Sequence, residues 1–151
     1  MSKGPNKILV VEDNADSRSS LCQFLQNLGY RVTETNLTTD AVKIALDELP
    51  DLILIDLSDD KALEVVYKIR LRKELSGIPI LASAADGGFG IELFSNIDKL
   101  GDNFIGYLTK PVSFNELADQ ISLILPDKKK PPDFPKLKHR PIDMNKRTIV
   151  P

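Results

Sequence analysis

The sequence predicts a doubly wound α/β fold, and three observations carry that prediction. Runs of β character recur along the chain at 8–11, 31–34, 52–55, 80–82 and 104–108, and each is followed by apolar residues at helical spacing. The first and third runs stop abruptly on acids, Glu12-Asp13 and Asp56. The run Leu52 to Ile55 is wholly apolar, as expected of a strand buried on both faces of a parallel sheet. Alternating strands and helices give such a sheet, with helices on both faces and right-handed crossovers.

Taken in order, Ile8 to Val11 is a buried strand that opens into the polar loop Glu12-Asp13-Asn14. From Asp16 onward Leu21, Cys22, Phe24, Leu25 and Leu28 recur at helical spacing, and Gly29 stands where a helix-ending glycine belongs. Arg31 to Glu34 alternates in the manner of an edge strand. Ala41, Ile44, Ala45 and Leu49 mark a second helix entered at Thr38 or Thr39. After the Asp56 strand, Leu63, Val66, Tyr67 and Ile69 give a third helix ending near Lys73 or Leu75. Pro79 introduces the short strand Ile80 to Ala82, which delivers Ser83 to the same edge as the acids. Asp86 to Gly90 reads as a loop. Its glycines match neither dinucleotide nor P-loop spacing. Ile91, Leu93, Phe94, Ile97 and Leu100 then suggest a fourth helix. Phe104 to Leu108 is the fifth strand, leading into Thr109-Lys110-Pro111. Ser113 and Glu116 form a capping box for a last helix whose buried stripe is Leu117, Ile121, Ile124 and Leu125.

A chain of 151 residues is about one domain long. The expected division is a folded domain at 1–126 and a Pro- and Lys-rich tail at 127–151 without core-forming pattern. That tail has six Lys and two Arg against three Asp, a formal +5, which leaves −7 on the rest of a chain whose total is −2. An acidic body argues against nucleic-acid binding by the folded domain, although a basic tail suits an acidic partner. No apolar run reaches membrane-spanning length and the first residues lack a secretory pattern, so a cytoplasmic protein is expected. Cys22, the single cysteine, reads as core filler, and His139, the single histidine, as a solvated tail residue.

In a sheet ordered 2-1-3-4-5 the switch point lies between the first and third strands. Glu12, Asp13, Asp56, Ser83 and Lys110 then gather round one pocket. Three carboxylates there repel: at ~5 Å and an effective dielectric of ~20 each pair costs about 3 kcal/mol. A cation relieves this, and an oxygen-only pocket open to solvent suits Mg²⁺. Lys110 adds a point charge. An aspartate beside a hard cation and an ammonium is placed to attack a phosphoryl group and form an acyl phosphate. An electron-carrying flavin protein shares the topology, but its first loop needs hydroxyls and glycine for phosphate, whereas Glu12-Asp13 repels one.

Glu12-Asp13-Asn14, Asp56 after its apolar strand, Ser83-Ala84 and Tyr107-Leu108-Thr109-Lys110-Pro111, in this order and spacing, resemble the receiver domain of two-component response regulators. The resemblance covers roughly residues 6 to 125 and implies a flavodoxin-like (βα)5 sheet. It further implies that Asp56 accepts a phosphoryl group from a sensor histidine kinase or histidine phosphotransfer protein. By the same resemblance, Asp13, Asp56 and the Ser58 backbone carbonyl hold Mg²⁺, with Glu12 acting mainly through water. Ser83 and Lys110 contact the phosphoryl oxygens, and Tyr107 changes rotamer to report the change. The output face is the fourth helix, fifth strand and last helix, offered to a downstream protein; at most weak self-phosphorylation and self-dephosphorylation accompany this role, which is not that of an enzyme. The competing expectation is a receiver-fold interaction module that works without phosphorylation.

Two stretches depart from the family pattern. The usual Met-Pro and glycine after the phosphoacceptor are replaced by Ser58-Asp59-Asp60-Lys61-Ala62, about two residues short and doubly acidic, and the region from Ala85 to Asn103 is long and holds four glycines. Small residues at Ser58 and Ala85 are expected to leave the acyl phosphate open to water and short-lived.

Overall fold

A computed structural model describes residues 6–36, 40–57, 60–85 and 104–125. Five strands, β1 (Lys7–Val11), β2 (Arg31–Thr35), β3 (Leu52–Asp56), β4 (Ile80–Ala85) and β5 (Gly106–Lys110), form one parallel sheet in the order β2-β1-β3-β4-β5. The described helices are α1 (Ala15–Asn27), α2 (Ala41–Glu48), α3 (Asp60–Leu71) and α4 (Phe114–Ile124).

Successive strand residues point to opposite faces, and this alternation divides the core in two. Leu9, Val11, Ile53, Ile55, Ile80 and Ala82 pack against α2 and α3. Ile8, Val10, Leu52, Leu54, Leu81 and Leu108 pack against α1 and α4. Every residue of β3 is buried, which is why its sequence is a continuous apolar run rather than an alternating one. β2, with one neighbour, keeps the polar alternation of an edge.

The helix boundaries follow local chemistry. Asn14 caps α1, its side-chain oxygen accepting from the Ser17 N–H at 2.9 Å, and Gly29 at φ +100° lets the chain leave the helix. The Ser113 hydroxyl accepts from the Glu116 N–H at 3.2 Å, as the capping box requires.

Several expected boundaries are corrected. The fifth strand is Gly106–Lys110 rather than Phe104 to Leu108, because pairing with β4 starts at Leu81 opposite Gly106. Phe104 is apolar because its ring is buried beside Tyr107, with centroids 5.5 Å apart. β4 continues to Ala85, so Ser83 lies within the strand. α3 ends at Leu71, earlier than Lys73. A series of tight turns follows, Leu75 fills the core, and the Arg70 guanidinium donates to the carbonyls of Leu75, Ser76 and Ile78. Three residues of the expected stripes face outward: Leu28 just after α1, Tyr67 on α3, and Leu49, which follows α2 in the left-handed region at φ 47°. The observed N-cap of α2 is Asp40; Thr38 and Thr39, the expected fourth helix at 91–100 and the tail lie outside the described residues.

Candidate functional site

The carboxyl ends of β1, β3, β4 and β5 meet on one side of the sheet. Glu12 continues the alternation of Ile8 and Val10, Asp56 that of Leu52 and Leu54, Ser83 that of Leu81, and Lys110 that of Leu108. All four therefore stand above the core layer shared with α1 and α4. A cavity of about 20 Å³, room for about one water, lies beneath them among Val10, Leu54, Leu81 and Leu108.

Lys110 joins the acids. Its Nζ is 3.1 Å from Glu12 Oε1 and 3.0 Å from Asp56 Oδ1. The other Glu12 oxygen accepts from the Asn14 N–H at 3.2 Å. Glu12 and Asp56 are both buried, whereas the Lys110 side chain keeps a quarter of its surface exposed. Burial, and then the charge of Asp56, hold the Glu12 carboxyl above its usual pKa, against the pull of Lys110. Burial alone would depress the Lys110 ammonium, but hydrogen bonds and charge from Asp56 and Glu12 prevail and raise it.

The expected residues are not all in one cluster. Asp13 is exposed, and its carbonyl is tied at 3.4 Å to Arg18. Among the described residues no three acidic, histidine or cysteine side chains are drawn close enough to hold a metal, so the structure unites two of the three expected carboxylates. Ser83 is opposite Asp56 in the β3–β4 register and half-buried. Tyr107, one residue from Leu108, faces the other core layer, where burial pushes its hydroxyl up to about 12. Ser58 lies outside the described residues. β3 ends at Asp56 and α3 begins at Asp60.

The donor set fits a hard divalent cation. Glu12 and Asp56 face one ammonium between them, and the charge of Asp56 adds to burial in raising the Glu12 pKa. Carboxylate oxygens are what Mg²⁺ prefers. Sequence reading overlooked Asn14 as the cap of α1, although Asn just before a helical pattern was a usable signal. It also overlooked Arg18, whose guanidinium reaches back to Glu12 and Asp13; a lone cation in the opening turns of a helix carries no such signal by itself.

Known proteins resemble the chain over most of its length. The chain is 31% identical over 120 residues to the phosphate regulon transcriptional regulatory protein PhoB of Pseudomonas aeruginosa, covering 78% of this chain and 51% of that protein. The chain thus spans about half the length of that relative. It is 30% identical over 125 residues to the polar-differentiation response regulator DivK of Brucella anthropi, covering 82% of this chain and 98% of DivK. Among solved structures, chemotaxis response regulator CheY4 of Vibrio cholerae superposes with TM-score 0.68 at 24% identity, covering 80% of this chain and 99% of that one, which is a likeness of fold. The receiver domain of a Pseudomonas aeruginosa sensor histidine kinase, solved with a magnesium ion coordinated in its active site cleft, matches with TM-score 0.65 at 29% identity over 80% of this chain and 97% of that one. The family model of the response regulator receiver domain matches residues 8–122. That span opens in β1, takes in all five strands and reaches into α4, and the chain belongs to the response regulator receiver domain family.

Proposed function

We propose that this receiver domain is a phospho-accepting switch in which Asp56 takes a phosphoryl group from a phosphohistidine on a sensor histidine kinase or phosphotransfer protein. The observation that carries the reading is the Lys110 ammonium held between Asp56 and Glu12 at the carboxyl edge of the sheet. Lys110 engages Asp56 Oδ1, so the nucleophile is Oδ2. It forms the O–P bond as the donor P–N bond breaks, and the electron pair passes to the departing imidazole. The product is an acyl phosphate on Asp56. Lys110 then pairs with phosphoryl oxygens, and Ser83, level with Asp56 on the neighbouring strand, donates its hydroxyl to them.

Asp13, Asp56 and the Ser58 carbonyl hold Mg²⁺ in this reading, with Glu12 acting through water. The ion supplies charge neutralisation for the phosphoryl oxygens. Tyr107 sits on the opposite face from Lys110 and beside Ala82, so a shift of Ser83 toward the phosphoryl group is felt by its ring through β4. The change is a shift between two arrangements of this edge, read by a downstream protein. With small residues at Ser58 and Ala85 the acyl phosphate is short-lived, and persistence for many hours would contradict that detail.

Acetyl phosphate or beryllofluoride with Mg²⁺ tests the reading. Mass spectrometry and amide spectra should show an adduct and a shift of the β4–β5 edge, both absent from Asp56→Asn. No Asp56-dependent change under either reagent would favour the phosphorylation-independent interaction module.

A further inference from the structure

The Arg18 guanidinium ties α1 to the loop after β1 and to β2. Its Nη1 donates to the Glu12 carbonyl at 2.8 Å and to the Asp13 carbonyl at 3.4 Å, while its Nε donates to Glu34 Oε1 on β2 at 3.0 Å. The Glu12 backbone is gripped on both sides, because its N–H donates to the Thr35 carbonyl at 3.0 Å. For Asp13, by contrast, the backbone carbonyl held by Arg18 is the restraint closest to its exposed carboxylate.

We propose that Arg18 is a positioning residue: its fork, braced by Glu34, sets the backbone of Glu12 and Asp13 so that these acids are presented toward Asp56 in the geometry that takes a divalent cation. The inference rests on the metal-binding reading of the same edge. The charge of Arg18 cannot be its contribution there. It is paired with Glu34, and what remains would repel a cation. A guanidinium is needed because one rigid fork must serve a carboxylate and two carbonyls at once, which a lysine ammonium does not do.

The test is Mg²⁺ affinity by isothermal titration calorimetry on the full chain, alongside urea unfolding of the metal-free protein. Loss of an outer-shell partner weakens a metal site by about ten- to a hundredfold, and Arg18→Ala should do so. Arg18→Lys, which keeps the charge and loses the fork, should weaken it too, and it carries the test if the alanine variant does not fold. A charge effect has the opposite sign, so tighter Mg²⁺ binding by Arg18→Ala overturns the proposal. Unchanged affinity with lowered urea stability also overturns it, since a merely structural role predicts that result. Asp13→Asn is the separating control. If it leaves wild-type affinity intact, the metal reading itself fails, whereas an effect of Asp13→Asn with none of Arg18→Ala sinks only the role of Arg18.

Discussion

Lys110→Met removes the ammonium at the centre of the site and keeps most of the side chain's apolar bulk. The Nζ lies 3.1 Å and 3.0 Å from carboxylates that are 2% and 7% exposed. At such distances and an effective dielectric of ~20, each attraction is about 5 kcal/mol before desolvation is counted. Desolvation and the repulsion between Glu12 and Asp56 cancel much of it, and stripping one partner from a buried set costs about 3–5 kcal/mol net. That is a large part of the roughly 5–15 kcal/mol that holds a domain folded. The loss depends on pH in a definite sense. Glu12 is already raised by burial and by Asp56, and Lys110 is the group that lowers it, so without Lys110 it rises further. A carboxyl raised in the folded state contributes stability that is fully present below its unfolded value of 4.5 and is lost as pH rises through the folded value. The variant should therefore be weakest relative to wild type at alkaline pH and recover toward acid pH as Glu12 takes up a proton. Urea unfolding followed by circular dichroism across that range measures this. A loss below ~1 kcal/mol at the alkaline end, where an exposed pair would fall, refutes the reasoning, as does a loss that ignores pH.

Three further outcomes are expected. Leu49 is 54% exposed at φ 47°, so Leu49→Gly relieves a left-handed leucine with little burial at stake and should raise stability by about 0.5–1 kcal/mol in urea; a lower midpoint would count against strain there. A Cβ at Gly106 would stand 3.0 Å from both Leu81 Cδ1 and Gln120 Oε1. Gly106→Ala should accordingly cost about 1–3 kcal/mol, partly recovered with Gln120→Ala, and additive effects would show the two do not collide. Tyr107 should ionise near 12, so the titration lost in Tyr107→Phe by ultraviolet difference absorbance should lie there. Its raised pKa contributes stability below its unfolded value of 10.0 that disappears as pH climbs through the folded value, and a Tyr107 titration found near 10 would contradict the burial.

Leu52 to Asp56, Ile8 to Glu12 and the capping residues Gly29 and Ser113 declared themselves in the sequence because each answers to local physics. A strand covered on both faces must be apolar throughout, a helix must be capped, and a parallel sheet of five βα units places its strand ends together. The order β2-β1-β3-β4-β5 was legible through the resemblance of the motifs to receiver domains, and in that order the nearness of Glu12, Asp56 and Lys110, with Ser83 level with Asp56, follows. Even the shared face of these four was open to counting, since all stand an even number of residues from core positions of one layer. Register and reach were not. Phe104 reads as strand but serves as a plug, because only pairing with Leu81 decides where β5 begins. Leu75 extends a helical pattern through a segment that tight turns and Arg70 hold in another shape. Asp13 and Glu12 are adjacent and equally acidic in sequence, yet one is exposed and the other is locked to Lys110. The grip of Arg18 on their carbonyls, across α1, the first loop and β2, is a purely tertiary fact: a long side chain finds its acceptors in space, and nothing in their spacing along the chain announces them.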